Sequence, residues 1–190
     1  GRLVSAQTLA SVVGWLETGL ALPEVPYPIV AKAPKTKDLL DEVHGQDEAK
    51  RALREAAQER QSVLMVGPPG CGKAMLARRA VGLMPAPTLE ERLAILAAYS
   101  WAGLTGGFPD GSLPGRPFRA PYHTITDRGL LGLPSRPHSS PSGDEWGLAL
   151  HGILFLEDIV EFPRRVLDRL SCHLRCQNGH VPWVIGAANT

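Results

Sequence analysis

Apolar residues recur along this chain with two different spacings, and the alternation between them outlines a fold. In 5–19, Leu9, Val12, Val13 and Leu16 fall at helical spacing, which predicts a short amphipathic helix. A second helix is expected over 47–59, where Ala49, Leu53, Ala56 and Ala57 share a face. Residues 62–66 are a short apolar run of strand length bounded by turn signals. A Gly-rich loop follows, then a helix from 73 to about 83, then another over 88–99. Residues 152–156 and 181–187 are further apolar runs of strand length, separated by a helical pattern over 162–174. Apolar strands alternating with helices imply a parallel sheet covered on both faces, the α/β class. No internal repeat is visible.

Two stretches interrupt this pattern. Pro23, Pro26, Pro28 and Pro34 exclude a helix over 23–37, which also carries Lys32, Lys35 and Lys37 and reads as an extended, exposed linker. The chain thus divides into an N-terminal helix and linker, 1–38, and a core, 39–190. Residues 103–147 are rich in Gly, Pro and Ser and too long for a plain loop. A strand near 117–123 and one or more functional loops are expected there.

Composition narrows the picture. At 190 residues and 44% hydrophobic content, the chain suits one domain, or one with an appendage. Twenty basic and 19 acidic residues leave a net charge of +1, which gives no global electrostatic case for nucleic acid. A local basic strip stays open, since arginines pair at Arg78-Arg79 and Arg164-Arg165. Three cysteines do not make a disulfide framework. No apolar run reaches the roughly 18–20 residues that cross a bilayer, and the N-terminus lacks signal-peptide order. A soluble cytoplasmic protein is expected.

The chemistry gathers at two places. Gly67-Pro68-Pro69-Gly70-Cys71-Gly72-Lys73-Ala74 fits the phosphate-binding G-x-x-x-x-G-K loop, with Met75 in the first turn of the helix that follows. Its glycines let successive N–H groups point at phosphate oxygens, and the helix start adds its positive dipole end. Lys73 would reach the β- and γ-phosphates of a nucleoside triphosphate. Ala74 stands where a Ser or Thr hydroxyl ordinarily ligates Mg²⁺. Either hydrolysis is weakened or silent, or a water takes the hydroxyl's place and activity falls only in part. The second place is the strand Ile153-Leu154-Phe155-Leu156, which ends in Glu157-Asp158 and is expected to lie beside the P-loop. In P-loop ATPases the first acid of such a pair helps hold the Mg²⁺ shell, a role that falls to Glu157. The second orients the attacking water. The usual order is Asp then Glu, and here it is inverted; a misplacement of about 1 Å can cost roughly a hundredfold in rate.

Five segments in order carry a resemblance. They are Val43-His44-Gly45-Gln46-Asp47-Glu48-Ala49-Lys50-Arg51-Ala52-Leu53, the loop 67–73, Arg116-Pro117-Phe118-Arg119-Ala120-Pro121-Tyr122-His123-Thr124, Leu148-Ala149-Leu150-His151-Gly152-Ile153-Leu154-Phe155-Leu156, and Glu161-Phe162. In these the chain resembles the magnesium-chelatase-like AAA+ ATPases, and among them the competence-associated ComM (YifB) type. The Arg-Pro-Phe-Arg-x-Pro piece is the specific one. The resemblance implies a P-loop NTPase three-layer sandwich, ATP and Mg²⁺ as cofactors, and a homo-oligomeric, usually hexameric, ring with ATP between subunits. It also implies DNA processing for ComM-type members and metal insertion into porphyrin for chelatases. By the same resemblance Asn189 would sense the γ-phosphate and the 43–46 segment would pack near the adenine. Ala74, the inverted acids, Tyr122 in place of a His, and Cys71 in place of the commoner Ser depart from the family pattern. The lid helices, sensor arginine and arginine finger are expected outside the chain, which ends at Thr190.

Weaker signals are open to blander explanations. Cys172, His173, Cys176 and His180 have spacings that metal ligands can have, but read as the end of an ordinary helix. Arg116 and Arg119 suit contacts with phosphate or a neighbour, or equally solvated charges at a strand edge. His123 and His151 read as packing histidines, and Trp101, Trp146 and Trp183 as buried. By analogy Tyr99-Ser100-Trp101 falls on a loop facing a ring pore. Three functions follow: a DNA-acting ATPase motor, a nucleotide-binding subunit that does not hydrolyse, or a chelatase-type subunit.

Overall fold

The computed structural model describes residues 6, 8–19, 21–23, 39–59, 61–104, 115–132, 143–176 and 181–190. The proline-rich stretch lies outside these apart from Pro23, as does His180. Four parallel strands form the sheet: β1 (Val63–Gly67), β2 (Phe118–Arg119), β3 (Ile153–Leu156) and β4 (Trp183–Asn189), in the order β1-β4-β3-β2. The acid-bearing strand β3 is therefore not the neighbour of β1 in the sheet, yet its acidic end lies beside the P-loop, as expected. β4 lies between them, with Gly67 beside Asn189 and Leu156 beside Gly186. The reason is in the side chains: six of the seven β4 residues are buried, as a strand needs when both faces and both edges are covered.

The helices are α1 (Leu9–Thr18), α2 (Asp47–Glu59), α3 (Lys73–Arg79), α4 (Leu89–Trp101), α5 (Asp127–Leu131), α6 (Glu145–Leu148) and α7 (Arg164–Cys176). Of these, α2 and α3 cover one face of the sheet and α5, α6 and α7 the other, in three layers. One face buries Leu40, Leu53, Leu76, Ile153, Phe155, Trp183 and Ile185; the other buries Leu130, Trp146, Leu154, Leu156, Val166, Leu170 and Val184. Consecutive residues of β3 and β4 thus serve opposite cores. β1 departs from the two-faced expectation, because Leu64 and Val66 are exposed. In α1 no residue is buried, although Leu9, Val12, Val13 and Leu16 share the predicted stripe.

Prolines and glycines set boundaries that periodicity blurred. The helix expected to run to 83 ends at Arg79 and tightens to a 3-10 turn, Ala80–Leu83, and Met84 before Pro85 is extended. Phe162, before Pro163, is likewise extended, so α7 starts later than expected. The strand near 117–123 is only two residues long, hemmed by Pro117 and Pro121. Tyr99-Ser100-Trp101 ends α4 rather than forming a loop, and Trp101 is exposed at 64%, against its expected burial. Trp146 and Trp183 are buried as expected.

Gly152 fixes the start of β3. A Cβ there would meet the Pro117 carbonyl oxygen at 2.0 Å, so only glycine lets the chain before β2 pass this close.

Candidate functional site

The carboxyl ends of β1, β3 and β4 point to one edge of the sheet, where open parallel sheets place their ligands. Most of the predicted site residues converge there, while Gly67, Pro68 and Cys71 are not in its lining. Pro69, Gly70, Gly72, Lys73, Ala74, Met75, Glu157, Asp158 and Asn189 line a cavity of about 310 Å³. The 67–74 loop leaves β1 and turns into α3 through two glycines in the left-handed region, Gly70 at φ 79° and Gly72 at φ 93°. Gly72 stands before the first turn of α3 with no side-chain cap, so the helix start presents its backbone N–H groups to the cavity side.

A hydrogen-bonded chain runs across this cavity. Lys73 Nζ donates to the carbonyl oxygens of Gly67 at 2.8 Å and Pro68 at 2.9 Å, and to Asn189 Oδ1 at 2.9 Å. Asn189 Nδ2 donates in turn to Asp158 Oδ1 at 2.5 Å. Asp158 has a left-handed backbone, φ 50° and ψ 53°, which turns the chain sharply after β3 into the short helical turn Ile159–Glu161. Glu157 is exposed beside it. Ala74 is partly buried against the core cluster that covers this face of the sheet.

Gln46 braces the loop from outside, its Nε2 donating to the Cys71 carbonyl at 3.2 Å. It sits after Gly45 in a second left-handed position, φ 56°, at the start of α2. A smaller cavity of about 200 Å³ between α2 and β1 includes Gln46, Leu53, Met65 and Cys71 in its wall, while Val43 is buried in the core.

Arg116 is neither a solvated charge nor turned to a neighbour, because its side chain is buried, whereas Arg119 on the edge strand β2 is partly exposed and paired within the molecule. Arg116 Nε donates to Pro85 O at 2.6 Å and its guanidinium to His151 O at 2.6 Å and Glu91 Oε2 at 3.1 Å. Burial by itself would raise the Glu91 carboxyl; the Thr88 N–H and the Arg116 guanidinium outweigh it and hold the group below its ordinary range. His151, buried at φ 61°, stands 3.5 Å from Glu91 through Nδ1, a packing role as expected. Arg119 forms a two-pronged pair with Glu145 at 2.7 and 2.6 Å, which raises its pKa further. Sequence reading missed these ties, since the partners lie 25–35 residues away. His123 contacts Phe162 edge-on. Among the described residues no group of three or more His, Cys, Asp or Glu side chains is placed to hold a metal ion, and no helix is long and apolar enough to cross a membrane.

Comparison with known proteins agrees with this architecture. The family described as "Magnesium chelatase, subunit ChlI" matches residues 38–181. The chain is 38% identical over 189 residues to competence protein ComM of Haemophilus influenzae, covering 97% of this chain and 35% of that protein. It is 36% identical over 165 residues to the Escherichia coli protein YifB, covering 87% of this chain and 31% of that protein. It therefore spans about a third of the length of these curated relatives. Among solved structures, NtrX of Brucella abortus in complex with ATP aligns with a TM-score of 0.46 at 18% identity, over 83% of this chain and 33% of that one. The parallel sheet, the loop between β1 and α3, the family match and the two relatives agree: the chain belongs to the ComM/magnesium-chelatase-like family of AAA+ P-loop ATPases.

Proposed function

We propose that residues 39–190 form a nucleotide-binding core that holds the phosphates of ATP or ADP in the 67–74 loop and hydrolyses ATP poorly. The observation that carries this reading is the chain from Lys73 through Asn189 to Asp158 across the cavity beside the loop. Lys73 is the cation for the β- and γ-phosphates, and backbone N–H groups of 70–75 supply the rest of the cradle. Asn189 stands between the loop lysine and Asp158, where a γ-phosphate would engage it. Gln46 sets the loop against α2 and places a base beside the 43–46 segment.

Impaired hydrolysis follows from three positions. Ala74 has no oxygen to offer a metal ion. Glu157 and Asp158 are one methylene too long and one too short for the usual roles, and Asp158 is occupied by Asn189. The donor set therefore fits the nucleotide's phosphates and fits Mg²⁺ poorly. The test is phosphate release from ATP by the chain and by an A74T/E157D/D158E variant. Binding without turnover in the first, with turnover gained in the second, is expected. Equal turnover in the two, whether both active or both silent, contradicts the assignment of the defect to these positions.

For the whole protein, the identity to a competence protein supports a ring-forming motor acting on DNA, with this core as its nucleotide site. The near-zero net charge adds no support of its own for DNA.

A further inference from the structure

Resting on the nucleotide reading above, we infer that this site binds its nucleotide without help from a divalent cation, so that the metal-free polyanion binds as well as the metal complex. Mg²⁺ demands near-octahedral oxygen coordination and in nucleotide sites takes a few protein oxygens beside phosphates and waters. Four side chains lining the cavity stand where such oxygens would come from: Ala74, Glu157, Asp158 and Asn189. Ala74 is a methyl packed against the core. Asp158 Oδ1 accepts the Asn189 amide N–H at 2.5 Å, and Asn189 Oδ1 accepts the Lys73 ammonium at 2.9 Å. A metal ion sharing either oxygen competes with an N–H already donated to it, and in the second case with the lysine that serves the phosphates. Left are the exposed Glu157 carboxylate, whose hydration a metal must compete with, and Asp158 Oδ2 on a side chain already held by Asn189.

A metal ion offered these carboxylates but no hydroxyl from the loop gains little over the same ion on the free nucleotide in water. The nucleotide complexed with metal and the metal-free one then bind about equally, their shared determinants being Lys73 and the backbone of the loop. Phosphate oxygens replace the Gly67 and Pro68 carbonyls as acceptors for Lys73, so the ammonium needs no large movement to serve them.

The experiment is an equilibrium titration of the chain with the fluorescent nucleotide N-methylanthraniloyl-ADP, once with millimolar Mg²⁺ and once with EDTA. The Kd is expected to agree between the two media within about threefold, a difference under 1 kcal/mol. Ala74→Thr, checked for folding by its melting curve, is expected to make binding tighter in Mg²⁺ than in EDTA by about tenfold, one protein ligand regained. A parent Kd that weakens tenfold or more in EDTA overturns the inference while leaving the nucleotide site standing. A folded A74T that gains no metal dependence overturns the role given to Ala74. Absence of binding in both media overturns the nucleotide reading itself, and the inference with it.

Discussion

Gly152 shows how little room a single residue can have. Its missing side chain is where the Pro117 carbonyl passes, and a Cβ would lie 2.0 Å from that oxygen. Gly152→Ala is expected to destabilise the fold by at least about 1–3 kcal/mol, the cost of forced overpacking, read as a lower urea midpoint. Nothing local in the sequence signals this, because Pro117 is far along the chain. The loop 67–74 is the opposite case. Its glycines, Lys73 and the departure at Ala74 are legible in a row, since a phosphate cradle is built from consecutive backbone groups. The site's other half is legible only as residue types. That Asp158, and not Glu157, meets Asn189 depends on the left-handed turn after β3, which no spacing rule gives.

Among the elements, α4 carries the clearest test. Thr88 caps it: the Thr88 hydroxyl accepts the Glu91 N–H at 3.2 Å, and the Glu91 carboxylate accepts the Thr88 N–H at 2.8 Å. The same carboxylate pairs with buried Arg116, which also holds the turn before α4 and the approach to β3. Because the folded-state pKa of Glu91 is lowered, its contribution is fully present above the ordinary value of 4.5 and is lost as pH falls through the lowered one. Glu91→Gln is therefore expected to lower the melting temperature at neutral pH, with the gap to the parent narrowing as the pH drops below 4.5. A gap that stays constant into acid would mean that the carboxylate's charge is not what counts. The long helices were readable from periodicity, as was β4. α5 and α6 were not, since five and four residues are too few for a helical period to show. Their signals are the caps, Thr126 and Asp144, each accepting an N–H three residues on.

At the scale of the whole molecule, sheet order does what no segment does alone. Placing β4 between β1 and β3 brings Asn189 beside Gly67 and within reach of both Lys73 and Asp158, residues 116 and 31 positions away from it. The sequence pattern implies a parallel sheet but not its order, because β1, β3 and β4 are all apolar and order follows from which strand is buried on both sides. The match to ComM and YifB covers most of this chain and about a third of theirs. The core's own capacity to bind nucleotide is thus the claim on which any reading of the whole protein depends. The most direct measurement is an equilibrium titration of a fluorescent ATP analogue against the chain and against Lys73→Ala, with melting curves to confirm that both are folded. Saturable binding by the parent, weakened about 10–100-fold in the variant by loss of a charged hydrogen-bond donor, is the predicted result. Binding that survives unchanged without Lys73, or no binding by the folded parent, would contradict the account.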